Sequence, residues 1–552
     1  MNTCLIRRLL FAFFLLAWVS LLSGTAPAAT WTVNPGESIQ ARIDNPETAS
    51  GDVIQVRTGT YTEDLVIGKD NLTLLSVDGP GLAVIQGAGV RDEAIYIGEG
   101  LGASIDGFVL RPGAENNSYG IYHHGGAPSN PVAVTRNSFA GFTGYGFYGS
   151  WDVLRDTSFT FDGNTVTGSY YGVFASGFQG CRVSVSDNVF LDCDNGISLA
   201  RNDQGMAGTV AEITGNSIVL EDEEPLPAGA VSMLMVGGGG NGITVDSAED
   251  STTIADNEVR GGFFSGLTVN YVGYSGRTPA VLLVDGNTFS GTEYGIYFGD
   301  LAFLPAEVTV QYNVLRDNDC GISVNYFSSA AAPETKVLFA NNSITGSAVS
   351  GFRNRAAELI DAKGNWWGDA SGPLDTHDPS AELPGYSNPS GTGTAVSAFV
   401  DYSPWLHEPP APEKPALLSP ADGSTDVSVT PTLRTGPFLS NLAGVTHAAT
   451  QWQVGTMAGD FSGGLVVHEE STANLTSMYI PMKTLGRSTT YYWRVRFRDS
   501  NGVYSQWSDA WAFTTAAGQG GGNGGGGCAA AGPAAPAMFL LMVPLVLLMR
   551  RK

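Results

Sequence analysis

Eight charged or aromatic residues occur just after short, similar segments of the chain, and their side chains are of the kinds that bind sugars. They are Arg201, Asp203, Tyr271, Tyr274, Arg277, Phe303, Tyr326 and Phe327. An aromatic ring packs against the apolar face of a sugar, while Arg and Asp side chains hydrogen-bond its hydroxyl groups. The set therefore predicts a ligand-binding surface for a glycan. The alternative is that the aromatic rings pack their own loops against the rest of the chain.

Cleavage of a glycan would need further groups. A hydrolase needs two carboxylates at a defined separation, and a calcium-dependent lyase needs a carboxylate cluster with a basic residue that removes a proton.

Two positions of a recurring strand are expected to face outward. The first holds Phe174, Ser198, Thr244, Thr268, Tyr297, Ser323 and Arg353, and the second holds Ser176, Ala200, Asp246, Asn270, Gly299, Asn325 and Arg355. Neither position brings two carboxylates together, so we assign no catalytic residue.

Metal-ligating residues are few. His123 and His124 are adjacent, and the alternation of side chains along a strand would place one inside and one outside. Cys181, Cys193 and Cys320 do not form a Cys–His cluster with the spacing of a zinc site. Two alternatives fit the sequence: Cys181 and Cys193 form a disulfide, or the cysteines are buried, unpaired thiols. The sequence predicts no metal site and no cofactor, with calcium left open by the acidic composition.

A repeat must position these residues. Each unit contains an alternating strand that ends at an asparagine, and these asparagines are Asn137, Asn164, Asn188, Asn216, Asn257, Asn287, Asn313, Asn342 and Asn365. Their spacing is 23 to 30 residues, apart from 41 between Asn216 and Asn257. A glycine then begins a second strand, as in Gly196-Ile197-Ser198-Leu199. Short strands at a regular period predict the coils of a parallel β-helix.

The chemistry of such a coil accounts for the repeated residues. Alternation places Ile197 and Leu199 inside. We expect the asparagines to adopt left-handed turns and to bond to their stacked copies along one corner, and the glycines to permit a sharp corner before the second strand. The predicted fold class is all-β, with a right-handed parallel β-helix over residues 30–407 and a small β-sandwich after it.

Segments at both ends of this region carry a family resemblance. Gly51-Asp52-Val53-Ile54-Gln55-Val56, and later Lys363-Gly364-Asn365-Trp366-Trp367-Gly368, resemble the opening and closing coils of bacterial proteins of the pectin-lyase-like superfamily, including NosD-like periplasmic proteins. The resemblance covers about residues 30–407. It implies the fold, but it does not imply one activity, because this superfamily contains lyases, hydrolases, esterases, epimerases and proteins that are not enzymes.

A second domain is predicted over residues 416–516, after a proline-rich linker at residues 408–415. Leu485 and Tyr491 resemble the tyrosine corner of fibronectin type III domains. Inward positions of the following strand hold Trp493, Val495 and Phe497, and outward positions hold Arg494, Arg496 and Arg498. Trp507 or Trp511 is expected to stack on these arginines. Such a ladder serves either as a binding patch or to stabilise its own domain.

The N-terminus has the pattern of a secretory signal peptide over residues 1–28. Arg7 and Arg8 precede an apolar run over residues 9–22, and Ala26-Pro27-Ala28 supplies small residues at a cleavage site. We therefore expect the mature chain to be exported.

The C-terminus has the composition of an anchor. A glycine-rich tether at residues 517–527 precedes Cys528, a short apolar stretch, and the basic end Arg550-Arg551-Lys552. Residues 528–552 resemble bacterial C-terminal sorting signals of the Synergist type, which implies that Cys528 is the processing or attachment point. An ordinary tail anchor is the alternative. Both alternatives predict a protein held at the cell surface through the membrane.

The net charge of the chain limits the classes of partner that we expect. The chain has 28 basic and 53 acidic residues and a formal net charge of -25, so nucleic acid is not an expected partner. The expected partners are a polysaccharide or cell-surface glycan, and the membrane through the tail. Our hypothesis is a surface-anchored, non-catalytic adhesion or glycan-binding protein. The alternative is a surface carbohydrate-active enzyme, a lyase or epimerase that acts on acidic polysaccharide.

Overall fold

The computed structural model describes residues 27–517, except for residues 114–117, 202–205, 222–239, 275–278, 302–305, 328–334, 357, 441–445, 459–460, 462–463 and 501–502. The N-terminal signal pattern up to residue 26 and the tail with Cys528 lie outside the described residues. Within the described part, the helix Ile39–Asp44 begins at Ser38, whose hydroxyl accepts a hydrogen bond from the amide of Ala41, and it buries Ile39 and Ile43. No helix of that part is long and apolar enough to cross a membrane.

Three parallel sheets, which we name A, B and C, wind around one core. Sheet A contains Thr30–Val33, Val53–Val56, Leu72–Ser76, Ala103–Asp106, Val132–Thr135, Ser158–Asp162, Arg182–Ser186, Val210–Thr214, Ser251–Ala255, Ala280–Asp285, Ala306–Gln311, Lys336–Ala340, Ile360–Asp361 and Val400–Asp401. Sheet B contains Gly59–Thr62, Ala83–Gln86, Phe108–Arg111, Ser138–Ala140, Thr165–Thr167, Val189–Leu191, Ser217–Val219, Glu258–Arg260, Thr288–Ser290, Val314–Arg316 and Ser343–Thr345. Sheet C contains Leu65–Ile67, Glu93–Ile97, Tyr119–His124, Tyr145–Leu154, Tyr171–Phe178, Asn195–Ala200, Asn241–Ala248, Ser265–Val272, Tyr294–Asp300, Cys320–Tyr326 and Ser350–Asn354.

Each coil passes from sheet A through sheet B to sheet C, and equivalent residues stack in register. Ile197, for example, pairs with Val173 of the coil before it and Ile243 of the coil after it. All three side chains are fully buried, as the alternation of apolar and polar residues predicts. The predicted all-β fold with a parallel solenoid is therefore confirmed.

An asparagine ladder runs along the corner between sheets A and B, from Asn137 to Asn365. The backbone amide of each asparagine donates to the side-chain oxygen of the next over 2.8–3.1 Å. The predicted ladder is confirmed, but the turn geometry differs from the prediction. The residue before each asparagine adopts the left-handed conformation, as at Asp187 and Asp256 with φ of 52° and 55°. This leaves the asparagine side chain free to point inward and bond to its neighbours.

The recurring glycine near the start of the sheet C strands also has a different cause from the one predicted. Gly196 is the second residue of its strand and does not have a positive φ. A Cβ atom there would lie 2.5 Å from the carbonyl oxygen of Gly242 and 2.8 Å from Cγ2 of Ile218. Glycine is therefore required by the close approach of the next coil and of sheet B, rather than by a turn.

The solenoid ends in a short closing segment in which Pro373–Leu374 pairs with Gly393–Ala395. Trp367, from the tryptophan pair of the predicted closing coil, is fully buried in the core. The C-terminal end of the solenoid is thus covered by its own apolar side chains and loops.

The second domain is an immunoglobulin-like β-sandwich. One sheet contains Leu417–Ser419, Thr432–Thr435 and Ser477–Tyr479, and the other contains Ser424–Val427, His447–Gly455, Leu465–Ser471, Thr490–Asp499 and Trp511–Thr515. Trp452 and Trp493 are fully buried between the sheets. The hydroxyl of Tyr491 accepts a hydrogen bond of 2.7 Å from the amide of Gly486, which is the geometry of a tyrosine corner.

Candidate functional site

Five consecutive strands of sheet C surround a cavity of about 500 Å³ on the outer face of the solenoid, which we name the sheet C groove. Its lining residues are Arg201, Asp246, Asn270, Tyr271, Tyr297, Gly299, Asp300, Asn325 and Tyr326. Most of these lie at the C-terminal ends of their strands, and Arg201 follows the strand Asn195–Ala200 directly. The volume falls within the range of small-molecule sites.

The strand register explains why these residues meet. Tyr271 pairs with Asp300, and Asp300 pairs with Tyr326, so one side chain from each of three coils forms a row parallel to the solenoid axis. Strict alternation would point this row inward, because Val324 two residues before Tyr326 is buried. Instead Asn325 and Tyr326 are both exposed, since the chain leaves the sheet at this point. Two adjacent rows therefore face the groove.

Arg201 is the centre of a cluster at one end of the groove. Its guanidinium carbon lies 4.5 Å from the centre of the Tyr271 ring and 3.7 Å from that of Tyr274. Its Nε is 3.0 Å from Oδ2 of Asp246, and Nδ2 of Asn270 donates to Oδ1 of the same carboxylate over 2.9 Å. The cluster fixes the orientations of an aromatic pair, a cation and a carboxylate before any ligand arrives.

The environment of Arg201 keeps it charged. Burial lowers the pKa of its guanidinium, but a hydrogen bond with Tyr274 and the charge of Asp246 outweigh this effect, so the net pKa is raised. The side chains of Arg201 and Asp246 are 21% and 25% exposed, so their mutual attraction is only partly screened by solvent. At the other end of the groove, Tyr326 is 51% exposed and offers an uncovered ring.

The eight predicted binding residues fall into three groups. Arg201, Tyr271 and Tyr326 line the groove, and Tyr274 supports it through its contact with Arg201. Phe327 was predicted to lie in the binding loops, but only 8% of it is exposed and it packs against the solenoid core, because the alternation is broken at Tyr326 and the next side chain turns inward. Asp203, Arg277 and Phe303 lie outside the described residues.

Several lining residues were not among the eight. Asp246, Asn270, Tyr297 and Asn325 occupy the outward positions of the sheet C strand, so the repeat itself contained the signal that would have found them. Asp300 was not found in this way, because a strict alternation places it inside. It brings a second carboxylate to the groove, on the second strand beyond that of Asp246, about 10 Å away along the axis.

The remaining candidate ligands of the sequence do not converge. His123 is buried and His124 exposed, as predicted, and Nδ1 of His123 accepts a hydrogen bond of 2.9 Å from Nε1 of Trp151. Cys181, Cys193 and Cys320 are buried and unpaired, which decides the open question of a disulfide. Within the described ranges no three His, Cys, Asp or Glu side chains are grouped so that they could hold a metal ion.

The arginine ladder of the second domain is occupied by residues of that domain. Trp507 lies 4.2 Å from the guanidinium of Arg494 and 4.8 Å from that of Arg496, as predicted for this tryptophan. Trp511 packs edge-on against Trp493 instead. Nε of Arg494 and of Arg496 donate to glutamines of the neighbouring strand over 2.9 and 2.7 Å. These contacts favour a stabilising role over a binding role.

Two family models match parts of the chain. Residues 152–344 match the model described as "Right handed beta helix region". The solenoid therefore contains a right-handed β-helix domain. Residues 439–519 match the model of a Rha78A-like, N-terminal immunoglobulin domain, in agreement with the β-sandwich that follows the β-helix.

Comparison with whole proteins gives a similarity over a small part of the chain. Among solved structures, the chain is similar to an α-L-rhamnosidase from Streptomyces avermitilis, determined in complex with L-rhamnose, at 24% sequence identity and a TM-score of 0.15. The similarity covers 19% of this chain and 10% of the rhamnosidase, so the chain spans about a tenth of that protein. No curated protein matches the chain.

Proposed function

We propose that this chain is a non-catalytic, glycan-binding protein and that the sheet C groove is its binding site. The observation that carries the proposal is the combination of an exposed ring, Tyr326, with the ordered cluster of Arg201, Tyr271 and Asp246 across one cavity. A sugar ring lies flat on Tyr326, and the amide and carboxylate groups of the groove bond to its hydroxyls. Groups that are held in place before binding lose little entropy when the ligand arrives.

The geometry supports binding rather than cleavage. Both oxygens of Asp246 are engaged by protein groups, one by Arg201 and the other by Asn270. A general acid or nucleophile needs an oxygen directed at the reacting atom of the substrate. Asp246 therefore does not offer the oxygen that paired-carboxylate hydrolysis together with Asp300 would use.

The test begins with a glycan array and continues with calorimetric titration of the glycans that bind. We expect dissociation constants between millimolar and micromolar. Tyr326→Ala should weaken binding at least tenfold, which corresponds to about 1.4 kcal/mol, because its ring is the most accessible aromatic surface of the groove. This variant is preferable to alanine at Tyr271 and Tyr274, since those two rings also hold Arg201.

Tyr479→Ala is the matched control, because Tyr479 is 59% exposed and lies in the sandwich domain. It should bind like the unaltered protein. Equal binding by the Tyr326→Ala protein would remove the groove from the proposal. Release of an unsaturated uronate, or any shortening of a bound glycan, would show that the protein is a carbohydrate-active enzyme instead.

We propose further that the protein is exported and held at the cell surface by its C-terminal tail. The support is the signal pattern over residues 1–28 and the sequence of glycines, Cys528, apolar residues and terminal basic residues. An extended solenoid that is tethered to a surface places its groove away from the membrane. Many weakly binding copies on one cell then act together, so weak individual contacts give strong attachment.

A further inference from the structure

A second set of aromatic residues covers the outer face of sheet C on the four strands directly before the groove. We name it the tyrosine array. One row contains Tyr96, Tyr122, Tyr148 and Phe174, and a parallel row contains Tyr119, Tyr145 and Tyr171. None of these residues lines the sheet C groove. The array and the groove therefore share no residue, although the strands Tyr171–Phe178 and Asn195–Ala200 are neighbours.

The rings stack along the solenoid axis. In the second row, Tyr119, Tyr145 and Tyr171 are separated by ring-centre distances of 5.2 Å with interplanar angles of 5°. In the first row, Tyr122, Tyr148 and Phe174 are separated by 5.1 and 5.2 Å. Because each ring covers a face of the next, the array presents ring edges and hydroxyl groups rather than open ring faces. The spacing follows that of the strands, so the hydroxyls recur at a regular interval.

The hydroxyl groups of the second row are available to a partner. Within the described part of the chain, Tyr119, Tyr145 and Tyr171 make no side-chain hydrogen bond to another residue. All three are half-buried. Burial raises the pKa of Tyr145 to about 12, and neighbouring phenols add to the effect. These groups therefore remain neutral hydrogen-bond donors at physiological pH.

The charges around the array restrict the partner. Asp92 and Glu93 lie close enough to Tyr119 that their charges contribute to raising its pKa, after the effect of burial. Arg91, at the end of the first row, forms an ion pair with Glu93 and lies 5.1 Å from the Tyr96 ring. An anionic partner would approach carboxylates without meeting an unneutralised arginine here.

We propose that the tyrosine array is a second binding surface and that it takes an uncharged, linear glycan laid parallel to the solenoid axis. An extended glycan repeats its sugars at a rise close to the strand spacing, so successive hydroxyls meet successive tyrosines. The array spans four strands, about 15 Å. It rests on the proposed function only in taking a glycan, since it has no residue in common with the groove.

The decisive variant removes hydroxyls and keeps rings. Tyr119→Phe, Tyr145→Phe and Tyr171→Phe together preserve the stack, and Phe174 already shows that the array accepts a phenylalanine. The probes are neutral linear oligosaccharides of increasing length from cellulose, mannan and xylan, with oligogalacturonates of equal length as charged counterparts. Calorimetry should show affinity for at least one neutral series that rises with length until four strands are spanned, and then levels.

We expect the triple variant to bind the longest neutral chain at least tenfold more weakly, with an unchanged melting temperature. The groove variant Tyr326→Ala should keep this length-dependent binding, which separates the two surfaces. Equal affinities of the triple variant and the unaltered protein would overturn the proposal, as would no binding of any neutral chain or stronger binding of oligogalacturonates. Self-association in the ultracentrifuge that the triple variant abolishes would also overturn it, because the array would then join two copies of the chain.

Discussion

Replacing one interior asparagine of the ladder by alanine tests how strongly the ladder stabilises the solenoid. The side chain of Asn287 is fully buried. Its Nδ2 donates to the carbonyl of Ile254 over 2.8 Å and to Oδ1 of Asn313 over 2.9 Å. Its oxygen accepts from the backbone amide and from Nδ2 of Asn257, over 3.0 and 2.9 Å. Its Nδ2 also donates to the carbonyl of Asp285 over 3.1 Å, and alanine removes all five bonds.

The cost follows from the groups that alanine leaves unpaired. The backbone amide of Asn257 loses its acceptor and the carbonyl of Ile254 loses its donor, both in a dry interior. Each such group costs about 1–3 kcal/mol when it stays buried without a partner. We therefore expect the coils around Asn287 to lose about 4 kcal/mol of stability in the Asn287→Ala protein.

Hydrogen exchange is the appropriate assay, because a solenoid opens locally and a global melting curve would average the effect. The protection of the Asn257 amide and of amides in adjacent coils should fall by about three orders of magnitude, since 1.4 kcal/mol corresponds to a factor of ten. Asn325→Ala is the control, because Asn325 is exposed and its change should stay within about 0.5 kcal/mol. A loss below about 1 kcal/mol at Asn287, or one no larger than that at Asn325, would refute the reasoning.

Two further predictions concern acid stability and surface attachment. Burial lowers the pKa of His123 from 6.5 to about 4. The unfolded chain therefore binds a proton that the folded chain does not over this interval, and stability should fall by about 3 kcal/mol as the pH decreases from 6.5 to 4. His123→Asn keeps an acceptor for Trp151 and should reduce this slope in urea titrations, so an identical slope would contradict the assignment. Cys528→Ala, or deletion of residues 528–552, should release the protein into the medium, and retention of both variants in the membrane fraction would contradict the anchor.

The course of the solenoid could be predicted because its strongest signals are local. An asparagine at each corner and an alternating strand after it identify one coil, and stacking then follows from the need to bury Ile197 and its equivalents. The roles of residues that are determined by contacts distant in sequence could not be predicted. Gly196 is required by the carbonyl of Gly242, 46 residues later in sequence, and no local pattern reports that contact.

The candidate site was predicted in part for the same reason. Arg201, Tyr271 and Tyr326 were found because they follow strands of the repeat, but the rule of alternation fails where the chain leaves the sheet. A strict alternation places Asp300 inside, although it lines the groove, and Phe327 outside, although it is buried. The tyrosine array was missed because its rows become visible only when four coils are aligned in register.

The uniform stacking of coils has a consequence for how the molecule can change over generations. Each coil touches only its two neighbours, so insertion of a whole coil between Tyr171–Phe178 of the array and Asn195–Ala200 beside the groove leaves the residues of both surfaces in place. It alters only their separation, and always by one strand spacing, about 4.8 Å. The distance between the two surfaces can therefore change only in steps of one whole coil.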